Sequence, residues 1–336
     1  YMLEKSSNYL ISLDLFRGFC GYGVAITHLN AFAFDNSYME YMSLIFAEFF
    51  FVLSGFVLYP QLLKVINNNK NLIIFYKRRW MRTLPLFIVV LILISALTNN
   101  LPSWDFLKYF FLVQKVAPNF ITNDYFPVIW HLSIEEFFYL VFPIIVVFFN
   151  KKNFIIKVIF LFIFLILLKF IISFFVDANF FRTGTLLRFD AILVGFIIAH
   201  YKELLIKNKN LVLLMFIILL PIYLFNYNFF IFGNENAYIK FLFILLMQLL
   251  SSVVMVTFIF LEPLLLTEKI RKFSLLISQQ AYSIYLFHMI LIYLLKKLNY
   301  TSLTTSIIYI IILFFVSTLI YKFFEEPIMK LRPKIL

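Results

Sequence analysis

Leu13–Asn30 reads LDLFRGFCGYGVAITHLN. The stretch is apolar enough to enter a bilayer, yet it carries Asp14, Arg17 and His28. Arg17 and His28 are eleven positions apart, close to three turns of α-helix. Both therefore lie on nearly the same face, roughly 16 Å apart along the axis, about half the hydrocarbon thickness of a bilayer. Ionisable groups inside a span are costly, and they either pair up or mark a site. Between the two, on the same face, are Gly21 and Val24, flanked by Gly18 and Ala25. Such small side chains admit either close helix packing or a groove for a thin ligand.

The rest of the sequence places this stretch in a membrane. Of 336 residues, 63% are hydrophobic, 21% aromatic and 14% charged, and the mean hydropathy is +0.96. A soluble domain of this size carries more charge, so the composition predicts an all-α polytopic membrane protein, a single integral-membrane domain over 1–336. The net charge of +12 does not point to nucleic acid. The basic residues recur in short clusters between apolar runs, as loop charges do. Cys20 is the one cysteine, which excludes an intrachain disulfide and a thiolate metal site. No small-residue cleavage pattern follows a short apolar core, so the first span is expected to be retained.

A span needs about twenty mainly apolar residues. Ten candidates are expected, near 12–33, 43–63, 84–98, 128–149, 154–176, 186–200, 211–230, 238–261, 281–297 and 303–324. The third and sixth are short, and 262–280 reads as an interfacial helix or part of a broken span. With a cytoplasmic N-terminus, the inner segments hold Lys5, the Lys64–Arg82 cluster, Lys151 and Lys152, Lys202–Lys209, Lys269–Lys272 and Lys330–Lys334. The outer ones keep Lys108, Lys115, Arg182, Lys240, Lys296 and Lys297. That alternation predicts ten spans with both termini cytoplasmic. The outer connection 99–127, with Trp104, Phe106, Tyr109, Phe110 and Phe111, is either an interfacial anchor or a segment folded back over a cavity.

This topology gives each polar group a depth. His28, Glu48, His131, Glu135, Glu136, Arg188 and Asp190 fall in the outer half. His131 and Glu135 are spaced i, i+4 on one face, with Glu136 about 100° round. Mutual satisfaction, with Arg188 neutralising a carboxylate, is one reading; a convergent site is the other. On the cytoplasmic side lie Arg17, Arg78, Arg79 and Arg82, whose guanidinium forks suit phosphate oxygens. Positive-inside bias by itself accounts for Arg78 and Arg79. Tyr285 and His288 come near mid-depth, and Glu325 at the inner interface reads as a cap or as the partner of a basic loop. His131 and Glu135 are only two ligands on one helix, and no phosphate-cradling glycine loop or nucleophile elbow is present, so no metal site is expected.

Taken in order, LDLFRGF (13–19) with His28, FFFVLSGF (49–56), RRWMRTLP (78–85), WHLSIEEFFYLVFP (130–143), LRFDAILVG (187–195), AYSIYLFH (281–288) and FEEP (324–327) resemble the acyltransferase-3 family over nearly the whole chain. Departures are His131 for a small polar residue, Glu48 for Asp and Met289 for Trp. The resemblance implies an enzyme of a bacterial plasma membrane that uses acyl-coenzyme A, usually acetyl, as donor substrate, with no permanently bound cofactor. The acceptor is a glycan or lipid-linked sugar hydroxyl. Combined with the depths, it implies that Arg17, Arg78, Arg79, Arg82, Tyr285 and His288 hold the donor and that His28 is the general base, an acyl-histidine relay being the competing mechanism. Arg17 counts with the catalytic set, and Glu135 or Glu48 orients the imidazole. Glu48, Trp130, His131, Glu136, Arg188 and Asp190 form the acceptor side, Arg188 steadying the oxyanion. A transporter or flippase, its polar groups lining a pathway, is the other functional class, and a homo-oligomer is left open.

Overall fold

The computed structural model describes residues 9–149, 151–225, 227, 236–298 and 303–334. Among the described residues there are helices and connecting turns but no strand. Lys5 and the end of the seventh expected span lie outside them. The long helices in chain order are α1 (Ile11–Ala33), α2 (Ser37–Asn67) and α3 (Asn71–Leu97), then the short α4 (Trp104–Phe110). After a 3-10 turn come α5 (Trp130–Val147) and α6 (Phe154–Ile172), followed by the short α7 (Ala178–Thr183). A further 3-10 turn, Thr185–Arg188, leads into α8 (Phe189–His200), then α9 (Lys202–Lys207), α10 (Lys209–Phe225) and α11 (Ala237–Phe260). The chain closes with α12 (Glu268–Lys297), α13 (Leu303–Ile320), a π-helical turn, and α14 (Glu326–Lys330).

Among the described residues, every expected span falls on a helix, and seven helical stretches are long and apolar enough to cross a membrane. Helix α1 has the length, 23 residues, but a more polar composition. The third expected span is longer than the sequence suggested, because the basic stretch 71–83 continues the same helix. Residues 268–280 likewise belong to the continuous α12 rather than to a separate interfacial helix. Charged first turns lower local hydropathy without interrupting backbone hydrogen bonding, so hydropathy alone places these helix starts too late. Helices α2 and α11 are central, with 61% of their apolar windows buried, whereas α6 and the α13 stretch are peripheral at 17%.

Close backbone approach fixes the centre. A Cβ on Gly55 of α2 would lie 1.9 Å from the Ile192 carbonyl oxygen, and one on Gly195 of α8 would lie 2.1 Å from that of Val52. Glycine at both positions is therefore required for the α2–α8 contact. Helix α1 packs most extensively on α12, then on α2. A Cβ on Gly18 would run into Ile277 at 2.3 Å, and one on Gly21 would come within 3.3 Å of the Ala281 Cα. Of the two readings of the small-residue face, helix packing is the one observed, and this part of the face is not an open groove. The first turn of α1 is capped from afar: Glu262 accepts from the Ile11 and Ser12 backbone N–H groups at 3.0 and 2.7 Å. A carboxylate there satisfies orphan donors and meets the positive end of the helix dipole.

A buried charge network surrounds Glu48 and Asp190. Arg188 Nη2 donates to both Glu48 carboxylate oxygens at 2.5 Å, and Nη1 donates to the Arg182 carbonyl at 3.1 Å. Lys169 and Gln248 both donate to Asp190 Oδ2, at 2.7 and 2.5 Å. Both members of the Glu48–Arg188 pair are fully buried. These bonds tie α2, α6, α8 and α11 together. The outer connection 99–127 divides its aromatics: Trp104 is 79% exposed, while Tyr109 and Phe126 are buried against α3 and α12. Asp105 organises it, accepting from Lys108, from the Thr122 backbone and hydroxyl, and from the Asn123 backbone.

Two predictions follow from these contacts. Glu48→Gln or Arg188→Met each strands a buried charge, which costs about 3–5 kcal/mol. The double variant Glu48→Met/Arg188→Met recovers most of that loss, as thermal unfolding in detergent will record; additive losses contradict a coupled pair. At Asp105, burial favours the neutral acid, but the Thr122, Lys108 and Asn123 hydrogen bonds outweigh it and lower the carboxyl from 3.8 to about 2. A depressed carboxyl stabilises above its unfolded value and loses that contribution as pH falls towards about 2. Limited proteolysis of the 99–127 segment is expected to accelerate between pH 4 and pH 2 in wild type (about the acidic titration range) and to vary less in Asp105→Asn.

Candidate active site

On α1, Arg17 and His28 share one face, as their spacing requires, and α12 runs alongside that face. His28 Nδ1 lies 3.0 Å from His288 Nε2, with the rings 10° from parallel and their centroids 5.2 Å apart. His288 is buried, and its Nδ1 is 3.1 Å from the Ile284 carbonyl oxygen one turn back. The partner of the His28 imidazole is thus His288. Glu48, one candidate to orient the His28 ring, is instead bonded to Arg188, and no hydrogen bond joins Glu135 to His28 among the described residues.

His28 opens on a small cavity of about 30 Å³, room for roughly one water molecule. Ser43, Leu44, Trp130, His131 and Tyr285 contribute to its wall. His131 Nε2 donates to the Ala47 carbonyl at 2.8 Å, and its ring stacks on Phe51 with centroids 3.9 Å apart. The Tyr285 hydroxyl donates to the Val128 carbonyl at 2.7 Å. Leu44 also borders a larger outer cavity of about 330 Å³, with Glu40, Asn179, Arg182 and Lys240 in its lining. The Arg182 guanidinium is 5.8 Å from the Trp130 ring, linking the two cavities.

On the inner side, Arg17 is 3.7 Å from Asp14 and donates to the Ser278 hydroxyl at 3.3 Å, while Ser278 donates to Asp14 at 2.6 Å. Arg82 lies within electrostatic range of Arg17, Arg79 and Arg332, with Glu325 the acidic residue among them. The Arg79 guanidinium covers the Tyr139 ring at 3.7 Å. Arg78 is turned away and donates to the Pro333 carbonyl at 2.6 Å. Between this cluster and the histidines, α3, α5 and α12 face one another with polar residues. Tyr282 donates to the Thr83 carbonyl at 2.6 Å, and Tyr139 pairs with Ser54 at 2.5 Å. Glu136 is buried near Thr83 and Arg79, with Oε1 unpartnered among the described residues. Glu135 is half-buried in the same space, its charge felt at His131, Tyr139 and Tyr285. The result is a polar seam that starts at Arg79 and Arg82 and runs past Glu136, Tyr282 and Tyr285 to the histidine pair.

The acyltransferase-3 family model, described as an acyltransferase domain, matches residues 10–322. The chain belongs to the acyltransferase-3 family. Among curated proteins it is similar to O-acetyltransferase OatA of Staphylococcus aureus strain NCTC 8325, 30% identical over 177 residues, which are 46% of this chain and 28% of that protein. A putative O-acetyltransferase, SACOL0978 of S. aureus strain COL, is 28% identical over 160 residues, 43% of this chain and 26% of its own length. The chain thus spans only about a quarter of these relatives in the matched region. No solved structure gives a significant match.

Within this acyltransferase-3 chain, the structure gathers His28, Trp130, His131 and Tyr285 round one cavity, with His288 bonded to His28, and Arg17, Arg79 and Arg82 in one cluster. Glu136 falls on the seam rather than on the acceptor side. Arg188, Asp190 and Glu48 do not line the His28 cavity; Arg188 bonds to Glu48 and to the Arg182 carbonyl, and Asp190 Oδ2 accepts from Lys169 and Gln248. Sequence reading missed Lys169, Arg182 and Arg332. A lysine inside FIIKVIFLFIFLILLKFII was itself the signal for Lys169, since a charge in so apolar a span demands a partner. Arg332 carried no such signal, because it lies in a basic tail explained by positive-inside bias.

Proposed function

We propose that this protein is a multi-pass O-acyltransferase of a bacterial plasma membrane. It moves an acyl group, acetyl in the first instance, from cytoplasmic acyl-coenzyme A to a hydroxyl of a glycan or lipid-linked sugar at the outer face. The observation that carries the reading is the course of the polar seam, which begins among arginines and ends at an imidazole pair beside a cavity. Loop charges favour ten crossings with both described ends on the cytoplasmic side, so the arginines face the donor.

In this reading Arg17, Arg79, Arg82 and Arg332 meet the coenzyme A phosphates. The pantetheine arm follows the α3–α5–α12 seam, since the glycine face of α1 is filled by α12. The acceptor enters through the outer cavity lined by Glu40, Arg182 and Lys240. His28 uses its nitrogen not paired to His288, Nε2, to take the acceptor O–H proton as that oxygen attacks the thioester carbon. A C–O bond forms, and the Trp130 indole N–H in the cavity wall is the donor for the developing oxyanion. The C–S bond then breaks with its electron pair on sulfur, and the proton on His28 passes to the thiolate to give coenzyme A and the ester. A thiol with a pKa of about 8.5 is a good enough leaving group without a strong acid.

The test is transfer from labelled acetyl-coenzyme A by protein reconstituted in nanodiscs. His28→Ala and Arg17→Ala are each expected to lower the rate by about 100-fold or more; retention of activity in both variants sinks the reading. Sugar movement without thioester consumption assigns the protein to the transporter class instead. Separately, Arg82→Ala is expected to raise KM for acyl-coenzyme A by about tenfold, the loss of one charge-assisted hydrogen bond, with kcat little changed. An unchanged KM removes Arg82 from the donor site.

A further inference from the structure

The hydrogen bonds of the two histidines form a directional chain. The Ile284 carbonyl can only accept, so His288 Nδ1, 3.1 Å away, carries the ring proton. A neutral imidazole has one N–H and one lone pair, so His288 presents the lone pair at Nε2. That atom faces His28 Nδ1 at 3.0 Å, and two lone pairs do not bond. His28 Nδ1 therefore holds the proton, and its Nε2 is left as the basic nitrogen. The tautomers are assigned here by the hydrogen-bond network, working outward from a backbone carbonyl.

The register of the two helices supports the same pairing. Gly21 meets Ala281 across the α1–α12 contact, and seven residues further along each helix stand His28 and His288. Seven residues are close to two helical turns, so parallel helices that touch at Gly21 and Ala281 bring the two rings together again. The gap is set by main-chain packing rather than by long flexible side chains.

We propose that His288 is a positioning residue that holds His28 in the Nδ1–H tautomer and accepts a charge-assisted hydrogen bond when His28 becomes imidazolium. It fills the place that a carboxylate occupies in a serine-hydrolase triad, but as a neutral ring it does so without placing an anion in the membrane interior. The bond strengthens only when the proton arrives at His28 Nε2, so its contribution falls on the reaction step rather than on donor binding. This inference rests on the reading of His28 as the base.

The test uses histidine labelled with nitrogen-15 in the full protein in nanodiscs. The chain has four histidines, so His131→Gln and His200→Gln leave two rings to assign. In wild type, the unprotonated nitrogen of His28 is expected to be Nε2, identified by its couplings to both ring C–H protons. His288→Gln, which returns an acceptor oxygen near the Nε2 position, is expected to keep this tautomer and most of kcat. His288→Leu is expected to lose the fixed tautomer and to lower kcat by about 100-fold, with KM for acyl-coenzyme A unchanged. A His28 proton on Nε2 in wild type, or equal activity and tautomer in the Leu and Gln variants, overturns the proposal. A fixed Nδ1–H tautomer together with an active His28→Ala overturns the base assignment instead and leaves the pairing standing.

Discussion

The rest of this structure depends on how closely α1 and α12 approach. Gly18 and Gly21 remove the side chains that would hold the helices apart, and Ile277 and Ala281 occupy the space. In a bilayer no hydrophobic drive brings helices together, so close van der Waals fit and interhelical hydrogen bonds must do so. Both are present along this contact: Arg17 to Ser278 near the inner end, Tyr22 to Gln280 at 2.6 Å in the middle, and His28 to His288 further out. The same packing that stabilises the bundle thus fixes the distance between the two imidazoles. A wedge at Gly21 acts on the site from two turns away without touching it.

Charges inside the bundle are treated in two different ways. In the outer half, Glu48, Arg188, Lys169 and Asp190 compensate one another with almost no exposure, and their role is to lock four helices. On the inner side, guanidinium groups converge with Glu325 as the acidic neighbour of Arg82. An excess of cations at one place repels itself, at a cost that an arriving polyanion reverses. One cluster therefore locks helices together, and the other keeps an excess of positive charge.

Much of this was legible from the residues, and the rest was not for identifiable reasons. Helical spacing placed Arg17 and His28 on one face, and the depth of the polar residues brought His131 to the level of His28, whereas Tyr285 was placed nearer mid-depth with the donor. Periodicity gives a residue's face and depth, but not which helix comes to face it. For that reason Glu135 and Glu48 were candidates to orient His28 when the actual partner lies on α12, and His288 was grouped with the donor. The glycines of α1 permitted two opposite readings because an absent side chain describes a space without naming its occupant. The buried network was half visible: Arg188 and a carboxylate were an expected pair, whereas Lys169 and Gln248 were not connected to Asp190.

The pairing of α1 with α12 also has a consequence for biosynthesis. The partners of Arg17 and His28 lie about 260 positions later in the chain. At roughly 5–20 residues per second of synthesis, α1 must wait on the order of tens of seconds before α12 emerges. During that interval a cation and an imidazole face lipid or a provisional neighbour, and α2, made next and packed against α1, is the first long helix able to shelter them. The reactive tautomer cannot be set until the last quarter of the chain has inserted. An unfinished nascent protein therefore lacks the His28–His288 hydrogen bond, and forming that bond is a late step of assembly.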